Sequence, residues 1–241
     1  MSTHPTASSF LPPTRYFDLL PLELIRSIIE HLAPLEYDNS TYTSRQRTLF
    51  STCLVSRLFR NLAQPLLFEI MEIEGEKRSA WLEQVTSQDE YKLFAGLRIL
   101  VVIGEITVLE DFNLGPDLAS AAIGLEDLRS SSAHLCIESF SGSNLKKLHL
   151  CSLSLRNLSG VVFPELSQLS LMETAIHNNG LHSDQFPALR HFAFCDFADY
   201  YYPNEVQSLQ ALAPQLSSMM LDISPLSYIM PISSESRLSP S

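Results

Sequence analysis

The first regular alternation of apolar and polar positions lies in residues 20–33 and has the spacing of an amphipathic helix. Pro21 fits the first turn of such a helix, where its missing N–H interrupts no helical hydrogen bond. Pro34 disfavours helical geometry in the residue before it and so predicts the end of the segment. We therefore expect a helix of about three turns whose apolar face is formed by Ile25, Ile28, Ile29 and Leu32.

A second apolar stripe follows a polar segment. Residues 35–44 (LEYDNSTYTS) predict a loop, with Ser44 as the cap of the next helix. Apolar residues then recur at helical spacing as far as Pro65, and they are Leu54, Val55, Leu58, Phe59 and Leu62. Two helices in roughly fifty residues cannot bury their apolar faces alone. Part of this apolar area should therefore contact the following domain or another chain.

A six-residue pattern, Leu-x-x-Leu-x-Leu, recurs through the rest of the chain, with intervals of 21, 23 and 27 residues between its four clearest copies. Phe163-Pro164 and Phe186-Pro187 stand at the same offset ahead of two copies and support this register. A period of this length predicts leucine-rich repeats, each of which supplies a short strand. A single copy cannot bury its apolar face, so neighbours must stack into a curved solenoid. The copies begin at Leu97, Leu145, Leu166, Leu189 and Leu216, with a degenerate copy at Leu125.

Alternation along each predicted strand sends the leucines inward and leaves the other positions on the opposite, concave face. This face mixes polar and apolar side chains, which suits recognition of a protein. Three tyrosines before Pro203 add aromatic side chains that often anchor interfaces, although packing over a neighbouring turn is the alternative. The candidate target-binding residues are Lys147, His149, Gln168, Ser170, Met172, His191, Tyr200, Tyr201 and Tyr202, and Cys151, Ala193, Cys195, Ser218, Met220 and Asp222 complete the face.

Composition predicts a folded, soluble, intracellular protein. A chain of 241 residues with 45% hydrophobic content can bury a core. The first residues lack a basic region followed by an apolar run, and the most apolar later stretch, residues 97–109, is short and broken by Arg98 and Glu105. We therefore expect the protein in the cytoplasm, the nucleus or both, without a membrane partner.

Net charge limits the possible partners. The chain carries −11, of which residues 1–66 contribute +1 and residues 67–241 contribute −12. A domain of that sign repels phosphate backbones and lacks a stripe of Lys and Arg, so we expect no nucleic acid as partner. Basic protein surfaces would be attracted, although moderate acidity also serves simply to keep a protein in solution.

Groups that could carry catalysis or bind a metal are sparse. Four cysteines without a C-x-x-C pair indicate reduced thiols rather than disulfides or a zinc site. His149 with Cys151, and His191 with Cys195, lack both the spacing of a zinc site and a third partner. The chain contains no phosphate-binding, metalloprotease or serine-hydrolase motif. We therefore predict no catalytic residue, no metal and no cofactor.

The N-terminal segment resembles the F-box in Leu20-Pro21-x-Glu23-Leu24, Ile28, Leu32 and Pro34, then in Leu54-Val55-Ser56-Arg57, Phe59 and Leu62-Ala63. In that family, a three-helix motif packs against a Skp adaptor, which links it to a cullin scaffold, a RING protein and a ubiquitin-conjugating enzyme. The chain departs from the pattern at Ser56, where Cys is common, at Phe59, where Trp is common, and in a longer polar segment before Thr48. The resemblance assigns adaptor binding to Leu20, Pro21, Leu24, Ile25, Ile28, Leu32, Leu54, Val55, Leu58 and Phe59.

The resemblance and the repeats together imply an α/β protein with an N-terminal helical F-box followed by a curved, irregular leucine-rich-repeat solenoid. The implied function is substrate recognition in a Skp-cullin-F-box ubiquitin ligase, in which the chain holds an unknown protein target and has no active site. Two alternatives stay open: the N-terminal apolar residues form only the core of a small helical cap, or the chain is an interaction scaffold without ligase activity. The predicted parts are a disordered tail at 1–16, the F-box at 17–64, the solenoid at 65–223, with a first strand in 65–73, and a Ser/Pro-rich tail at 224–241.

Overall fold

The chain folds as two compact units, Met1–Leu66 and Leu67–Ser241. The first unit is helical and the second contains a parallel sheet, so the predicted α/β class is confirmed. The predicted tail at 1–16, and most of the one at 224–241, lie outside the described residues. This computed structural model describes residues 20–33, 35, 37–74, 94–103, 116–131, 137–152, 154–155, 158–176, 180–196, 203–223 and 226–230.

Three helices make up the described part of the N-terminal unit: α1 (Leu22–Leu32), α2 (Asn39–Val55) and α3 (Arg57–Leu67). The start of α1 agrees with the sequence, because the carbonyl oxygen of Pro21 accepts hydrogen bonds from the N–H groups of Leu24 and Ile25. At its end, the N–H of Ala33 donates to the carbonyl of Ile29. Buried apolar side chains are found on all three helices, and they include Ile25, Ile29, Leu49, Cys53, Ala63 and Leu66.

The prediction of a loop over residues 35–44 is wrong in its second half, because α2 begins directly after Asp38. The carbonyl of Asp38 accepts a hydrogen bond from the N–H of Tyr42 at 2.8 Å. Tyr37 is buried, and its ring centroid lies 5.6 Å from that of Tyr42. These contacts stabilise a first turn that the polar composition does not predict. Ser44 therefore lies inside the helix and does not cap it.

A break at Ser56 divides the second predicted helix into α2 and α3. Ser56 is extended, with φ −161° and ψ 170°. Its Oγ accepts a hydrogen bond from the N–H of Phe59 at 3.3 Å, and its carbonyl accepts one from the N–H of Arg60 at 2.9 Å. The Nε of Arg60 donates to the carbonyl of Cys53 at 3.3 Å. Ser56 thus caps α3, while Arg60 satisfies one of the last carbonyls of α2.

The C-terminal unit is built on an eight-stranded sheet whose strand order follows the chain. Its first seven strands are parallel, and the last pairs antiparallel with the strand before it. These strands are β1 (Ile70–Glu74), β2 (Ile99–Ile103), β3 (Asp127–Ser130), β4 (Lys147–Cys151), β6 (Gln168–Met172), β8 (His191–Asp196), β9 (Ser218–Ile223) and β10 (Leu226–Met230); β5 (Ser154–Leu155) and β7 (Ala175–Ile176) form a second, parallel pair.

The connections between strands include short helices. They are α4 (Pro116–Ala121), α5 (Pro203–Leu212) and two 3-10 turns, Ile137–Phe140 and Ala213–Gln215. The first strand, β1, begins later than predicted from residues 65–73, because α3 continues through Pro65 to Leu67. Proline removes one backbone N–H here without ending the helix.

Every copy of the leucine pattern supplies one strand of the large sheet, including the degenerate copy at Leu125. The copies pair in register, so that Leu148 lies opposite Leu128 on one side and Leu169 on the other. Two residues further along each strand, the next inward positions also lie opposite one another, as Leu150, Leu171 and Phe194 do. The inward side chains of both rows are buried in one continuous core that contains Leu100, Leu128, Leu148, Leu169, Phe192, Val102, Leu150, Leu171 and Phe194.

Two backbone hydrogen-bond patterns recur at the start of the strands. The carbonyl just before a strand accepts from two consecutive N–H groups of the next copy, as Lys146 does from Ser167 and Gln168. The N–H of the first leucine of a copy donates to the carbonyl three residues earlier, as Leu189 does to Phe186. The rings of Phe163 and Phe186, which occupy this position in two copies, stack with centroids 5.8 Å apart.

The turns after β4 and β6 share an unusual backbone conformation. Ser152 and Glu173 have positive φ angles of 56° and 48°, a region that non-glycine residues rarely occupy. The Oγ of Ser152 donates to Oε2 of Glu173 at 2.8 Å, and the hydroxyl of buried Thr174 donates to the carbonyl of Met172 at 2.9 Å. These hydrogen bonds hold the turns that lead into β5 and β7.

Two neighbouring residues of β6 test the separation of its two faces. Leu171 is fully buried, whereas Met172 is 43% exposed. Leu171→Ala should lower the free energy of unfolding by about 2–5 kcal/mol, because it removes buried methyl groups and leaves a cavity. Met172→Ala should cost less than about 1 kcal/mol. Urea unfolding followed by circular dichroism measures both, and equal losses would contradict the assignment of the faces.

The cap of α3 gives a second test. Ser56→Ala removes the side-chain acceptor for the N–H of Phe59 and should lower the free energy of unfolding by about 1 kcal/mol. Ser51→Ala, at an exposed position inside α2, is the control and should change stability by less than about 0.5 kcal/mol. Thermal unfolding of both variants is the measurement. If the two variants are equally stable, the hydroxyl of Ser56 is not a stabilising cap.

Candidate interaction surfaces

The N-terminal unit presents an unusual number of large apolar side chains to solvent. On α1, Leu24, Ile28 and Leu32 are each about half exposed, at 52%, 49% and 58%. On α2, Phe50 and Leu54 are 59% and 66% exposed and stand one helical turn apart. We use the name apolar surface for the complete set: Leu20, Leu22, Leu24, Ile28, Leu32, Phe50, Leu54, Val55 and Leu58.

Most residues that the resemblance assigns to adaptor binding belong to this apolar surface. Ile25 does not, because its side chain is 2% exposed and lies in the core with that of Ile29. Phe59 is half-buried, and Pro21 is exposed at the start of α1. The predicted apolar stripe of α1 is therefore two stripes, one buried and one exposed. The adaptor-binding positions found on the surface are Leu20, Pro21, Leu24, Ile28, Leu32, Leu54, Val55 and Leu58.

Two members of the apolar surface, Leu22 and Phe50, were missed from the sequence. Phe50 lies four residues before Leu54, so the two side chains share one face of α2. That spacing was a usable signal.

The outward face of the large sheet carries the predicted target-binding residues of the repeats. Lys147, Met172 and His191 are exposed, while His149, Gln168 and Ser170 are half-buried. Ser218 and Met220 are also exposed on this face. Tyr200, Tyr201 and Tyr202 lie outside the described residues. The Nδ1 of His191 lies 2.7 Å from the Oγ of Ser218 on the neighbouring strand.

Cys195 departs from the predicted pattern, because it is buried although its position alternates outward. Its exposed fraction is 8%. The residue after β6, Glu173, lies against its backbone and donates its N–H to the carbonyl of Cys195 at 2.7 Å. Cys195 is therefore part of the packed sheet. In this row, Cys151 is half-buried and Met172 is exposed.

An ion pair on β3 organises the middle of the outward face. Nη2 of Arg129 lies 2.9 Å from Oδ2 of Asp127, and its Nε lies 3.2 Å from Oδ1. The side chain of Asp127 is only 7% exposed. Nε2 of His149, on β4, stands 4.0 Å from the same carboxylate. Asp127 and Arg129 were missed as site residues, although they occupy the outward positions of the degenerate copy.

The electrostatic environment keeps His149 neutral near pH 7. Burial lowers the pKa of His149 below its ordinary value. The carboxylate of Asp127 opposes this effect, whereas the charges of Arg129 and Lys147 lower the pKa further. A neutral imidazole can both donate and accept a hydrogen bond, which suits a polar position in a recognition face.

A second charge cluster lies at the beginning of the strands. Glu126 joins two neighbouring copies, since its Oε1 lies 2.9 Å from Nη2 of Arg98 and its Oε2 lies 3.1 Å from Nζ of Lys146. Burial alone would raise the pKa of Glu126, but the hydrogen bonds from Lys146 and Arg98 outweigh it and lower the pKa. This carboxylate therefore stays ionised and links β2, β3 and β4 at their starts.

Within the part of the chain that the structure describes, no group of three or more His, Cys, Asp and Glu side chains could hold a metal ion. The helices found among those residues are all too short or too polar to cross a membrane. Comparison of the chain with protein-family models, with curated proteins and with solved structures returns no match. The fold defines an α/β protein with a parallel sheet, and its family and function stay predictions.

The half-buried position of His149 predicts a pH-dependent stability. Because its pKa is lowered in the folded state, the unfolded chain binds more protons just below the ordinary pKa, so stability falls as pH falls through this range. Between about pH 7.5 and 5.5, the Tm of the wild type should fall more than that of His149→Gln. Gln168→Ala, at a half-buried position without a titratable group on the same face, should keep the pH dependence of the wild type. If the Tm of the wild type and the Tm of His149→Gln fall by the same amount over this pH range, His149 is not the cause of the pH dependence.

Proposed function

We propose that this protein is a non-catalytic substrate receptor of a Skp-cullin-F-box ubiquitin ligase. The N-terminal unit would be its F-box and would bind a Skp-type adaptor, which in turn binds a cullin. The C-terminal unit would be a leucine-rich-repeat solenoid that holds a protein target. The observation that carries the proposal is the apolar surface, which contains seven of the ten positions that the resemblance assigns to adaptor binding.

The chemistry of the apolar surface favours a protein partner. Contiguous exposed apolar patches on soluble proteins mark interaction sites, because leaving them in water is unfavourable. On α1 the side chains follow i, i+4, i+8 spacing and so form one stripe, of Leu24, Ile28 and Leu32. Leu54 and Val55 at the end of α2 are the most exposed of the set, at 66% and 65%. Such a surface fits the apolar face of another helical protein.

The topology of the sheet supports the repeat part of the proposal. Each parallel strand pairs with the strand of the next copy, and strand order follows the chain. Repeat proteins stack in this way, so that each copy contacts only its neighbours. The outward side chains are then repeated at regular intervals across the sheet, which gives an extended surface for a target.

The proposed mechanism uses binding alone. The ubiquitin-conjugating enzyme, not this chain, would supply the chemistry. By holding a target at a fixed place in the assembly, the receptor raises the effective concentration of the target's lysines near that enzyme. Correct placement thus replaces a bimolecular encounter by a reaction within one complex.

Co-purification of the full chain with a Skp adaptor tests the docking step. Leu24→Asp and Leu54→Asp each put a carboxylate into the proposed interface, where it would be buried without a partner. Each should weaken adaptor binding at least about tenfold while the circular dichroism spectrum stays unchanged, since both side chains are exposed. Ile123→Asp is the matched control, because Ile123 is 68% exposed in the C-terminal unit.

Wild-type protein that fails to bind the adaptor would refute the proposal. So would variants that bind as well as the wild type, because the apolar surface would then not be the contact. If the chain binds no adaptor but still captures protein targets through the sheet, it is an interaction scaffold without ligase activity.

A further inference from the structure

Among the described residues of the C-terminal unit, positive charge lies on or directly before strands β2, β3, β4 and β8. Residues 67–241 contain ten Lys and Arg against twenty-two Asp and Glu. Five of the ten lie among the described residues, and all five stand on β3 or β4 or directly before a strand. They are Arg98, Arg129, Lys146, Lys147 and Arg190. An acidic unit therefore carries a local cationic area where its outward face begins.

The charges of this area are not all neutralised by the chain itself. Asp127 pairs with Arg129, and Glu126 is shared between Arg98 and Lys146. Lys147 and Arg190 form no ion pair with any side chain that the structure describes. Arg190 donates only to backbone carbonyls, those of Pro187 and Leu189. Both side chains belong to exposed residues, so their charges are available to a ligand.

Register places these charges side by side. Lys147 on β4 and His191 on β8 lie on either side of Gln168, the first residue of β6. Two strand spacings separate their backbones, about 10 Å. Lys146 and Arg190 directly precede Lys147 and His191 in the chain. We call Lys146, Lys147 and Arg190 the cationic patch.

The same face is partly apolar beyond its first row: Met172 ends β6, whereas Met220 lies in the middle of β9, level with Ser170. Met172 and Met220 are 43% and 49% exposed, and half-buried Ala193 lies opposite Met220 on the next strand. Gln168 and Met172 are four residues apart on one strand, which corresponds to about 13 Å. An extended chain that runs along the strands covers this distance in about four residues of its own.

We infer that the outward face of β4 to β9 binds an extended segment of the target that has acidic residues at one end and a large apolar residue about four positions away. The carboxylates pair with the cationic patch, and the apolar side chain packs on Met172 and Met220. This inference rests on the proposed function, since it names the chemistry of the target. Nucleic acid is a poorer occupant, because the large acidic excess of the unit repels a long phosphate backbone.

Selection from a random library of displayed twelve-residue peptides against the immobilised full chain tests the inference. Wild-type protein should enrich peptides with Asp or Glu and an apolar residue about four positions apart. The double variant Lys147→Gln, Arg190→Gln should lose the acidic preference and bind the selected peptide about fivefold more weakly. Ser159→Glu, Ser183→Glu is the matched control, because it changes net charge by the same amount at exposed loop positions.

A second variant separates the two ends of the surface. Met220→Ser should remove the preference for an apolar residue and leave the acidic preference unchanged. Raised salt should weaken peptide binding to the wild type more than to the Lys147→Gln, Arg190→Gln variant.

Several results would overturn the inference. The wild type could select basic or neutral peptides, or could enrich no peptide at all. The charge-matched control could lose as much binding as the Lys147→Gln, Arg190→Gln variant. A twelve-base-pair DNA duplex could bind as tightly as the selected peptide. Adaptor co-purification of the same preparations shows whether the proposed function fails independently. Retained adaptor binding with no acidic selection would refute only the target chemistry.

Discussion

The in-register stacking of the leucine copies is the constraint on which the C-terminal unit depends. One copy has a strand of four to six residues and cannot cover its own inward side chains. Burial becomes complete only when Leu148 lies between Leu128 and Leu169, and the next row repeats the arrangement. A shift of one residue in any copy would turn its leucines outward. The doubly accepting carbonyls before the strands oppose such a shift, because each fixes two N–H groups of the next copy.

The sequence predicts this part of the fold well because the signal is repeated. Every copy has the same alternation, so a weak pattern in one is supported by its neighbours, even at Leu125. The N-terminal unit offers no such support. The early start of α2 is accompanied by the contact of Tyr37 with Tyr42, and the break at Ser56 by hydrogen bonds from Phe59 to the Ser56 hydroxyl and from Arg60 to Cys53. Neither leaves a periodic pattern, which is why a loop and an uninterrupted helix were predicted instead.

The candidate surfaces also differ in how far the sequence predicts them, because only features with a regular spacing leave a pattern in it. Helical spacing identifies apolar positions but not which of two adjacent stripes is buried, and Ile25 was therefore placed on the surface. Ion pairs between copies are still harder to predict from the sequence. Glu126 meets Arg98 and Lys146 across separations of 28 and 20 residues, and only the register of three strands brings them together. The pattern of any single copy carries no sign of such a cluster.

The parallel sheet also separates folding from recognition along each strand. Inward residues are mostly large and apolar, with Ser130 on β3 as a buried polar exception. Outward residues contact only their own and the flanking strands and can differ from copy to copy. Some outward residues are nevertheless partly covered, and Asp127, Arg129 and His149 are examples. The ion pair of Asp127 with Arg129 fixes this part of the face, so under the proposed function the exposed positions around it, such as Lys147 and Met172, would set which target is recognised. Recognition chemistry can therefore change at those positions without altering the core that supports them.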